Sequence, residues 1–158
     1  MKLIAHRGLI NGPDANIENR PDQIDFVLKQ GYDCEIDLWE VNGNLLLGHD
    51  RPDYPIEPKF LNQNGLWIHA KNLSALYYLS TTTLTYFWHQ NDDCVITSNG
   101  YIWTYPGKEL TNRSIRLLPE WNNGKEYVSL YERLLTTKND TCYAICSDYI
   151  LKIHELRG

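Results

Sequence analysis

The sequence predicts an α/β fold built on a reduced or incomplete barrel of parallel strands. About eight short, apolar, strand-like runs follow one another along the chain, and few of the segments between them can form a helix. A complete barrel of eight strands and eight helices usually needs roughly 200 residues, and this chain has 158. We therefore expect either a barrel that lacks several outer helices or an open version of one. The pair Asn42-Gly43 between two apolar runs adds a predicted β-hairpin arm.

The first half of the chain alternates between strands and helices. Pro21 suits the first turn of a helix, and apolar residues follow at helical spacing until Gly31 ends it. The other elements predicted before residue 80 are strands over 2–5, 34–39, 45–47 and 66–70, a loop over 51–60, and a short helix carrying Leu73, Leu76 and Leu79.

The second half begins with short strands that follow one another too closely for full helices between them. They are predicted over 86–89, 95–97, 101–103 and 115–118. An amphipathic helix carrying Tyr127, Leu130, Tyr131 and Leu134 comes next, before a last strand over 143–146 and a helix carrying Ile150, Ile153 and Leu156. This order of elements predicts a reduced TIM-like (β/α) barrel.

Length and composition predict a single globular domain over residues 1–158. Apolar residues make up 42% of the chain and charged residues 22%, and the net charge is −5. A broad surface for nucleic acid or anionic membranes would need clustered Lys and Arg, so we expect no nucleic-acid partner. The chain has no apolar run long enough to cross a bilayer and no signal-peptide pattern, which predicts a cytoplasmic protein without membrane insertion. The sequence does not predict an oligomeric state.

The four cysteines include no Cys-x-x-Cys pair, which makes a disulfide framework or a zinc ribbon a poor interpretation. Cys34 and Cys146 lie among strand-like apolar residues. We expect both to be buried thiols that behave as small hydrophobic side chains.

Polar, potentially reactive residues follow strand-like segments at four places in the sequence. They are His6-Arg7, Glu35 with Asp37, His49-Asp50, and His69 with Lys71. In parallel α/β folds the carboxyl ends of the strands form the ligand-binding face. Glu35 and Asp37 are two residues apart in a predicted strand, so both carboxylates project to one side and can bind one cation.

These pieces, in this order, resemble the glycerophosphodiester phosphodiesterase family of the superfamily that includes the phosphatidylinositol-specific phospholipases C. The resemblance over residues 3–50 rests on Ile4-Ala5-His6-Arg7-Gly8, Glu18-Asn19, Glu35-Ile36-Asp37-Leu38, Asn42-Gly43 and Gly48-His49-Asp50. The later pieces that are similar to the family are His69-Ala70-Lys71, Ile102-Trp103-Thr104 and Ile145-Cys146-Ser147-Asp148.

The resemblance implies a metal-dependent phosphodiesterase acting on a small glycerol- or sugar-linked diester. It implies a divalent cation (Mg²⁺, Ca²⁺ or Mn²⁺) on Glu35 and Asp37, with His6 and His49 as the acid–base pair. Arg7 would neutralise the charge that builds on the phosphate oxygens. In the family the nucleophile is commonly a hydroxyl of the substrate, which gives a cyclic phosphate that water then opens. Glu18 and Asn19 are expected to orient Arg7 or to complete the metal coordination.

The chain departs from the family pattern at three places. Ile17 precedes the Glu-Asn pair where the family usually has Pro, and the insertion that often follows the second catalytic histidine is absent. His69 stands where the family has its third carboxylate. If His69 is a ligand, an imidazole nitrogen favours Mn²⁺, Fe²⁺ or Zn²⁺ over Ca²⁺ or Mg²⁺. Alternatively, His69 has left the metal site and hydrogen-bonds the phosphate.

Three further residues are candidates for the pocket, each with a plainer alternative. Lys71 is either a phosphate contact or a solvated strand end, and His89 either lies at the end of a barrel strand or in a polar loop. Trp103 either walls the pocket by stacking on a substrate ring or belongs to the core.

Three alternative functions stay open at this stage. One is a lyase that releases the cyclic phosphate, and another is a non-catalytic domain that binds a phosphate metabolite. The third is a structural or interaction domain, which leaves two histidines and two carboxylates at strand ends without a role.

Overall fold

One curled sheet of ten strands organises residues 1–121 and 129–158, the part of the chain that the computed structural model describes. The strands are β1 (Lys2–Ala5), β2 (Asp33–Val41), β3 (Asn44–Leu47), β4 (Tyr54–Ile56), β5 (Leu66–Ala70), β6 (Tyr86–Phe87), β7 (Cys94–Ile96), β8 (Ile102–Thr104), β9 (Ser114–Leu117) and β10 (Ala144–Ser147). The helices are α1 (Pro21–Lys29), α2 (Leu73–Ser80), α3 (Leu130–Leu135) and α4 (Ile150–Arg157), with 3-10 turns at His6–Gly8, Pro58–Asn62 and Thr136–Asn139. No described helix is long and apolar enough to span a membrane.

The strands pair side by side in the order β6-β5-β2-β1-β10-β9-β8, and every pair in this series is parallel. The carboxyl ends of these strands therefore lie along one rim of the sheet. The sheet is curled, so the two ends of this parallel series approach each other, and the Trp103 ring of β8 stacks on the Phe87 ring of β6 with centroids 4.3 Å apart. This mixed α/β sheet with few helices is compatible with the incomplete barrel that the sequence predicts.

The hairpin arm has three strands, and the predicted loop over 51–60 was wrong. β3 pairs antiparallel with the end of β2, and β4 pairs antiparallel with β3. Tyr54 and Ile56 pack against the core, which fixes this segment as a strand although Pro55 lies between them. Pro55 is tolerated because β4 is an edge strand, whose outer side needs no amide donor.

The predicted strand over 95–97 is not a parallel barrel strand. Its counterpart β7 pairs antiparallel with β8 through a turn at Asn99-Gly100, where Gly100 has φ +84°. This is a second hairpin with an Asn-Gly pair in its turn, and the sequence interpretation overlooked it. The predicted strand over 86–89 ends at Phe87, so His89 follows the strand and lies in a loop.

The other predicted elements are confirmed within one or two residues. Pro21 begins α1, and Gly31 follows its end with φ +86°. α3 begins at Leu130 behind a capping box, in which the Ser129 hydroxyl accepts from the Glu132 amide. Tyr127, which was predicted to lie on this helix, falls outside the described residues.

Alternation along β2 separates the core from the site. Cys34, Ile36 and Leu38 are buried in the cluster that contains residues of α1 and α2, which covers the outer face of the sheet. Glu35 and Asp37 point to the opposite, inner side because successive strand residues face opposite ways. Cys34 and Cys146 are both fully buried free thiols, as predicted.

Candidate active site

A cavity of about 430 Å³ opens at the carboxyl rim of the parallel strands. It brings together nine of the eleven residues that the sequence nominates. These are His6, Arg7, Glu35, Asp37, His49, His69, Lys71, His89 and Trp103. Glu18 and Asn19, the remaining two, lie behind this lining and contact it through hydrogen bonds.

The turn after β1 aims the Arg7 backbone at Glu35. Arg7 adopts φ +53°, a left-handed conformation that is uncommon outside glycine, and its amide donates to Glu35 Oε2 at 3.1 Å. Asn19 is also left-handed, with φ +58°, and its amide donates to the Arg7 carbonyl at 2.8 Å. Two residues in sparsely populated conformations therefore support each other at the site, where such strain concentrates in proteins.

The Arg7 guanidinium lies between two carboxylates. Its Nη1 donates to Glu18 Oε2 at 3.1 Å, and its Nε is 3.3 Å from Asp37 Oδ2. The hydrogen bond to Glu18 is the contact that Glu18 would need in order to orient Arg7. Arg7 is thereby fixed with its cationic group on the cavity wall.

Asp37 is the centre of the polar network. Its Oδ2 accepts a hydrogen bond from the side-chain amide of Asn19 at 2.9 Å. Its Oδ1 is 3.0 Å from His69 Nδ1 and 3.4 Å from Lys71 Nζ. Burial alone would raise the pKa of Asp37. The hydrogen bond from His69 and the positive charges around the carboxylate outweigh burial and hold its pKa well below the usual range. Asp37 is therefore ionised at neutral pH.

Glu35 has the opposite electrostatic character. Its side chain is buried, and burial together with the neighbouring charge of Asp37 raises its pKa, although His6, His69 and Arg7 partly counteract the shift. The positive charges near Glu35 therefore do not fully compensate the negative charge of its ionised form. A cation bound beside it would supply that charge.

Glu35, Asp37 and His69 fit a divalent cation. Each offers one ligand atom, and the three atoms lie within 4.8 Å of one another. The 3.0 Å between His69 Nδ1 and Asp37 Oδ1 matches two neighbouring ligands, because atoms about 2.1 Å from one ion at right angles are about 3 Å apart. Two carboxylates and one imidazole suit Mn²⁺, Fe²⁺ or Zn²⁺ better than Ca²⁺.

His6 is held from behind by Asp148, a residue that the sequence interpretation gave no role. His6 Nδ1 lies 2.7 Å from Asp148 Oδ1. Burial lowers the pKa of His6, but the Asp148 hydrogen bond and the charge of Glu35 outweigh it, so the pKa is raised overall. Asp148 follows β10 directly, beside β1, so the rule that strand ends form the site could have found it.

Asp148 is itself fixed by a second buried carboxylate, Glu120. The Asp148 amide donates to Glu120 Oε1 and the Ser147 hydroxyl donates to Oε2, both at 2.8 Å. No sequence pattern pointed to Glu120. It reaches the site because β9 and β10 are adjacent, which only the sheet order reveals.

His49 lies on the hairpin arm, immediately after a glycine whose conformation the loop requires. Gly48 has φ +149°, and a Cβ there would lie 2.0 Å from the Arg51 carbonyl oxygen. His49 Nδ1 is 2.7 Å from Asp50 Oδ1. Partial burial and the charge of Arg7 lower the pKa of His49, so this imidazole is mainly neutral at pH 7.

Stacked rings form one wall of the cavity. The His69 ring lies between Phe87 and His89, with centroid distances of 5.0 and 5.4 Å. His89 Nδ1 is a buried atom without a hydrogen-bond partner in the described part of the chain. Burial and the neighbouring His69 lower the pKa of His89 to about 4, so it is neutral at pH 7.

His89 and Trp103 each show features of both alternatives that the sequence left open. His89 lies in a loop, yet it lines the cavity. Trp103 also lines the cavity, but it is only 2% exposed and its ring is stacked on Phe87, so it belongs mainly to the core. Tyr105, two residues further on, stacks on His89 with centroids 4.4 Å apart.

Comparison with known proteins gives no relative on which a function could be based. No protein-family model matches the chain, and no curated protein or solved structure is significantly similar to it. The chemistry of the cavity therefore carries the functional proposal.

Proposed function

We propose that this chain is a metal-dependent phosphodiesterase that cleaves a small glycerol- or sugar-linked phosphodiester on a reduced TIM-like barrel. One observation supports the proposal above all others. Two imidazoles with opposite pKa shifts, His6 and His49, line the same cavity as a group of three potential metal ligands. Such a set is what transfer of two protons around an anionic phosphate requires.

Positive charge in the cavity suits a phosphodiester. Arg7 and Lys71 both line the cavity, and their contacts to Asp37 keep them in place. They would bind the nonbridging oxygens and stabilise the charge that develops there. A divalent cation on Glu35, Asp37 and His69 would supply further neutralisation of those oxygens.

The pKa shifts assign the two proton-transfer roles. His49, whose lowered pKa favours the neutral imidazole, has a ring nitrogen free to accept a proton, so His49 is the general base that deprotonates the attacking hydroxyl. His6, whose raised pKa favours the imidazolium, is the general acid that protonates the departing oxygen. Asp148 keeps the His6 ring oriented and stabilises its charge.

The hydrolase and lyase alternatives share this first step. If the nucleophile is a hydroxyl of the substrate, the first product is a cyclic phosphate. Water then opens it in a hydrolase, with the histidines exchanging roles, whereas a lyase releases it. Phosphorus NMR of the products separates the two, because a persistent cyclic phosphate signal identifies the lyase.

A non-catalytic phosphate-metabolite binder is the second candidate, and one observation favours it. His69 stands in place of a third carboxylate, and the Asp37 oxygens already contact Asn19, Arg7, His69 and Lys71. A binder would retain affinity for a phosphate monoester, show no turnover of any diester and respond little to metal.

The basic test is an assay with a generic aryl phosphodiester under controlled metal. We expect activity to disappear when the protein is dialysed against a chelator and to return with Mn²⁺, because the oxygen–nitrogen ligand set favours that ion over Ca²⁺. Release of the aryl alcohol measures the rate. Full activity in the chelated protein would contradict the metal dependence.

Replacing Asp148 by Asn should shift the pH profile rather than only lower the rate. Asp148 raises the pKa of His6, so its loss lowers that pKa and deprotonates the general acid at lower pH. The alkaline limb of kcat/KM is therefore expected to move to lower pH in D148N, while the acid limb, set by His49, stays in place. A uniform loss at all pH values would show that Asp148 has only a structural role.

A further inference from the structure

A shallower groove of about 390 Å³ lies beside the reaction cavity. Three residues, Gln90, Tyr105 and Trp121, line both spaces, so the groove and the cavity share a wall. A substituent on a phosphorus bound near Arg7 therefore has a route into this groove. The proposed reaction uses none of the groove residues for proton transfer.

The groove combines aromatic surface with a polar rim. Trp121 is 54% exposed although it is a large aromatic residue, and Tyr105 is held in place by its contact with His89. The rim is formed by the loop over 90–93, Gln90-Asn91-Asp92-Asp93, and by Lys108, which pairs with Asp93 at 2.6 Å. The side-chain amides of Gln90 and Asn91 make no hydrogen bond within the described residues, so both can serve a ligand.

We propose that this groove binds a sugar ring, which forms one substituent of the phosphodiester; the inference rests on the function proposed above. A sugar ring has a face of C–H groups that packs against an aromatic side chain. Its hydroxyls surround the ring and can pair with amide and carboxylate groups, such as the four consecutive polar residues of the loop.

Other substituents fit this groove less well. A quaternary ammonium group would use the aromatic rings and the charge of Asp92, but it has no hydroxyl or N–H to pair with the side-chain amides of Gln90 and Asn91. An acyl chain would bury the polar rim without hydrogen bonds, which is costly. A nucleobase would also stack on the aromatic rings, so a nucleotide is included among the probes to distinguish it from a sugar.

Calorimetric titration of the full chain tests the proposal without requiring turnover. The probes are a hexose 1-phosphate, methyl phosphate, phosphocholine and a nucleoside 5′-monophosphate, all with Mn²⁺ present. We expect the hexose phosphate to bind at least about 10-fold more tightly than methyl phosphate, a difference that ring stacking and a few hydrogen bonds can supply. Trp121→Ala and Asp92→Asn should each reduce this ratio several-fold.

A matched control is Tyr77→Ala, which removes an aromatic side chain that is 73% exposed on α2 and belongs to neither space. It should leave the ratio at the wild-type value. Equal binding of hexose phosphate and methyl phosphate, or tighter binding of phosphocholine or the nucleotide, overturns the sugar assignment.

The two proposals fail in different ways. Selective binding of hexose phosphate without cleavage of any diester overturns the enzymatic function and leaves the groove assignment intact. Cleavage that depends on His6 and His49, without a preference for the hexose phosphate, overturns only the groove assignment.

Discussion

His6→Ala and His49→Ala are each expected to lower Mn²⁺-stimulated cleavage of a glycerol-linked phosphodiester, whose alkoxide leaving group needs a proton, by at least about 100-fold, the usual effect of losing a general acid or base. Each substitution removes one of the two proton-transfer groups that line the cavity. The measurement is kcat/KM at the pH optimum, with the folded state of each variant checked by circular dichroism.

His154→Ala is the matched control for these two variants. His154 is exposed on α4, pairs with Tyr32 at 2.6 Å and does not line the reaction cavity. Its removal should leave the rate unchanged. Equal activity in wild type, His6→Ala and His49→Ala would show that the assigned pair is wrong.

Asp37→Asn is expected to destabilise the metal-free protein by about 3–5 kcal/mol, the typical effect of removing one partner from a buried ionic network. Asp37 is 1% exposed, and its carboxylate lies within 3.4 Å of side-chain nitrogens of Arg7, His69 and Lys71. Its folded pKa lies below its ordinary value, so its stabilisation is fully present above about pH 4 and is lost as the pH falls further. Urea unfolding should show the full difference between the proteins at pH 7 and a reduced but still clear difference at pH 3, because the folded carboxylate becomes protonated only well below its ordinary pKa.

Glu35→Gln should have the opposite effect on the metal-free protein. The folded pKa of Glu35 is raised, so its ionised form costs stability at neutral pH, and that cost is removed when the pH falls below the folded pKa. The amide oxygen of Gln can still accept from the Arg7 amide, as Glu35 does. The variant is therefore expected to unfold at a higher urea concentration than wild type at pH 7.

Mn²⁺ should make wild type more stable than the Glu35→Gln variant, the reverse of the order expected without metal. A cation that binds only the folded wild type adds about 2.7 kcal/mol at 100 times its dissociation constant, and Glu35→Gln has lost one ligand. A metal-free Glu35→Gln protein that is less stable than wild type would contradict the electrostatic account of Glu35.

The sequence nominated residues that line one cavity because the relevant signals are local. Glu35 and Asp37 alternate with Ile36 along one strand, and this pattern alone assigns the carboxylates to one face and the apolar residues to the other. His49 followed from the Asn42-Gly43 turn, which determines where the hairpin returns. In each case the neighbouring residues contain the information.

The parts that the sequence missed depend on which strands are neighbours. Asp148 and Glu120 lie far from His6 in the chain. Asp148 contacts His6, and Glu120 contacts Asp148, because β10 lies between β1 and β9. The antiparallel β7 was missed for a different reason. Short apolar runs are compatible with either strand direction, and only the Asn99-Gly100 turn distinguishes them.

The central claim is that one cation site lies among four of the five histidines of the chain, and histidine NMR with Mn²⁺ tests it most directly. In ¹⁵N-histidine-labelled protein, substoichiometric Mn²⁺ should broaden the imidazole signals of His6, His49, His69 and His89 and leave His154 sharp. The broadening should disappear in the Glu35→Ala, Asp37→Ala double variant. If His6 or His49 stays as sharp as His154, or if the double variant broadens like wild type, the two imidazoles do not flank a metal held by these carboxylates.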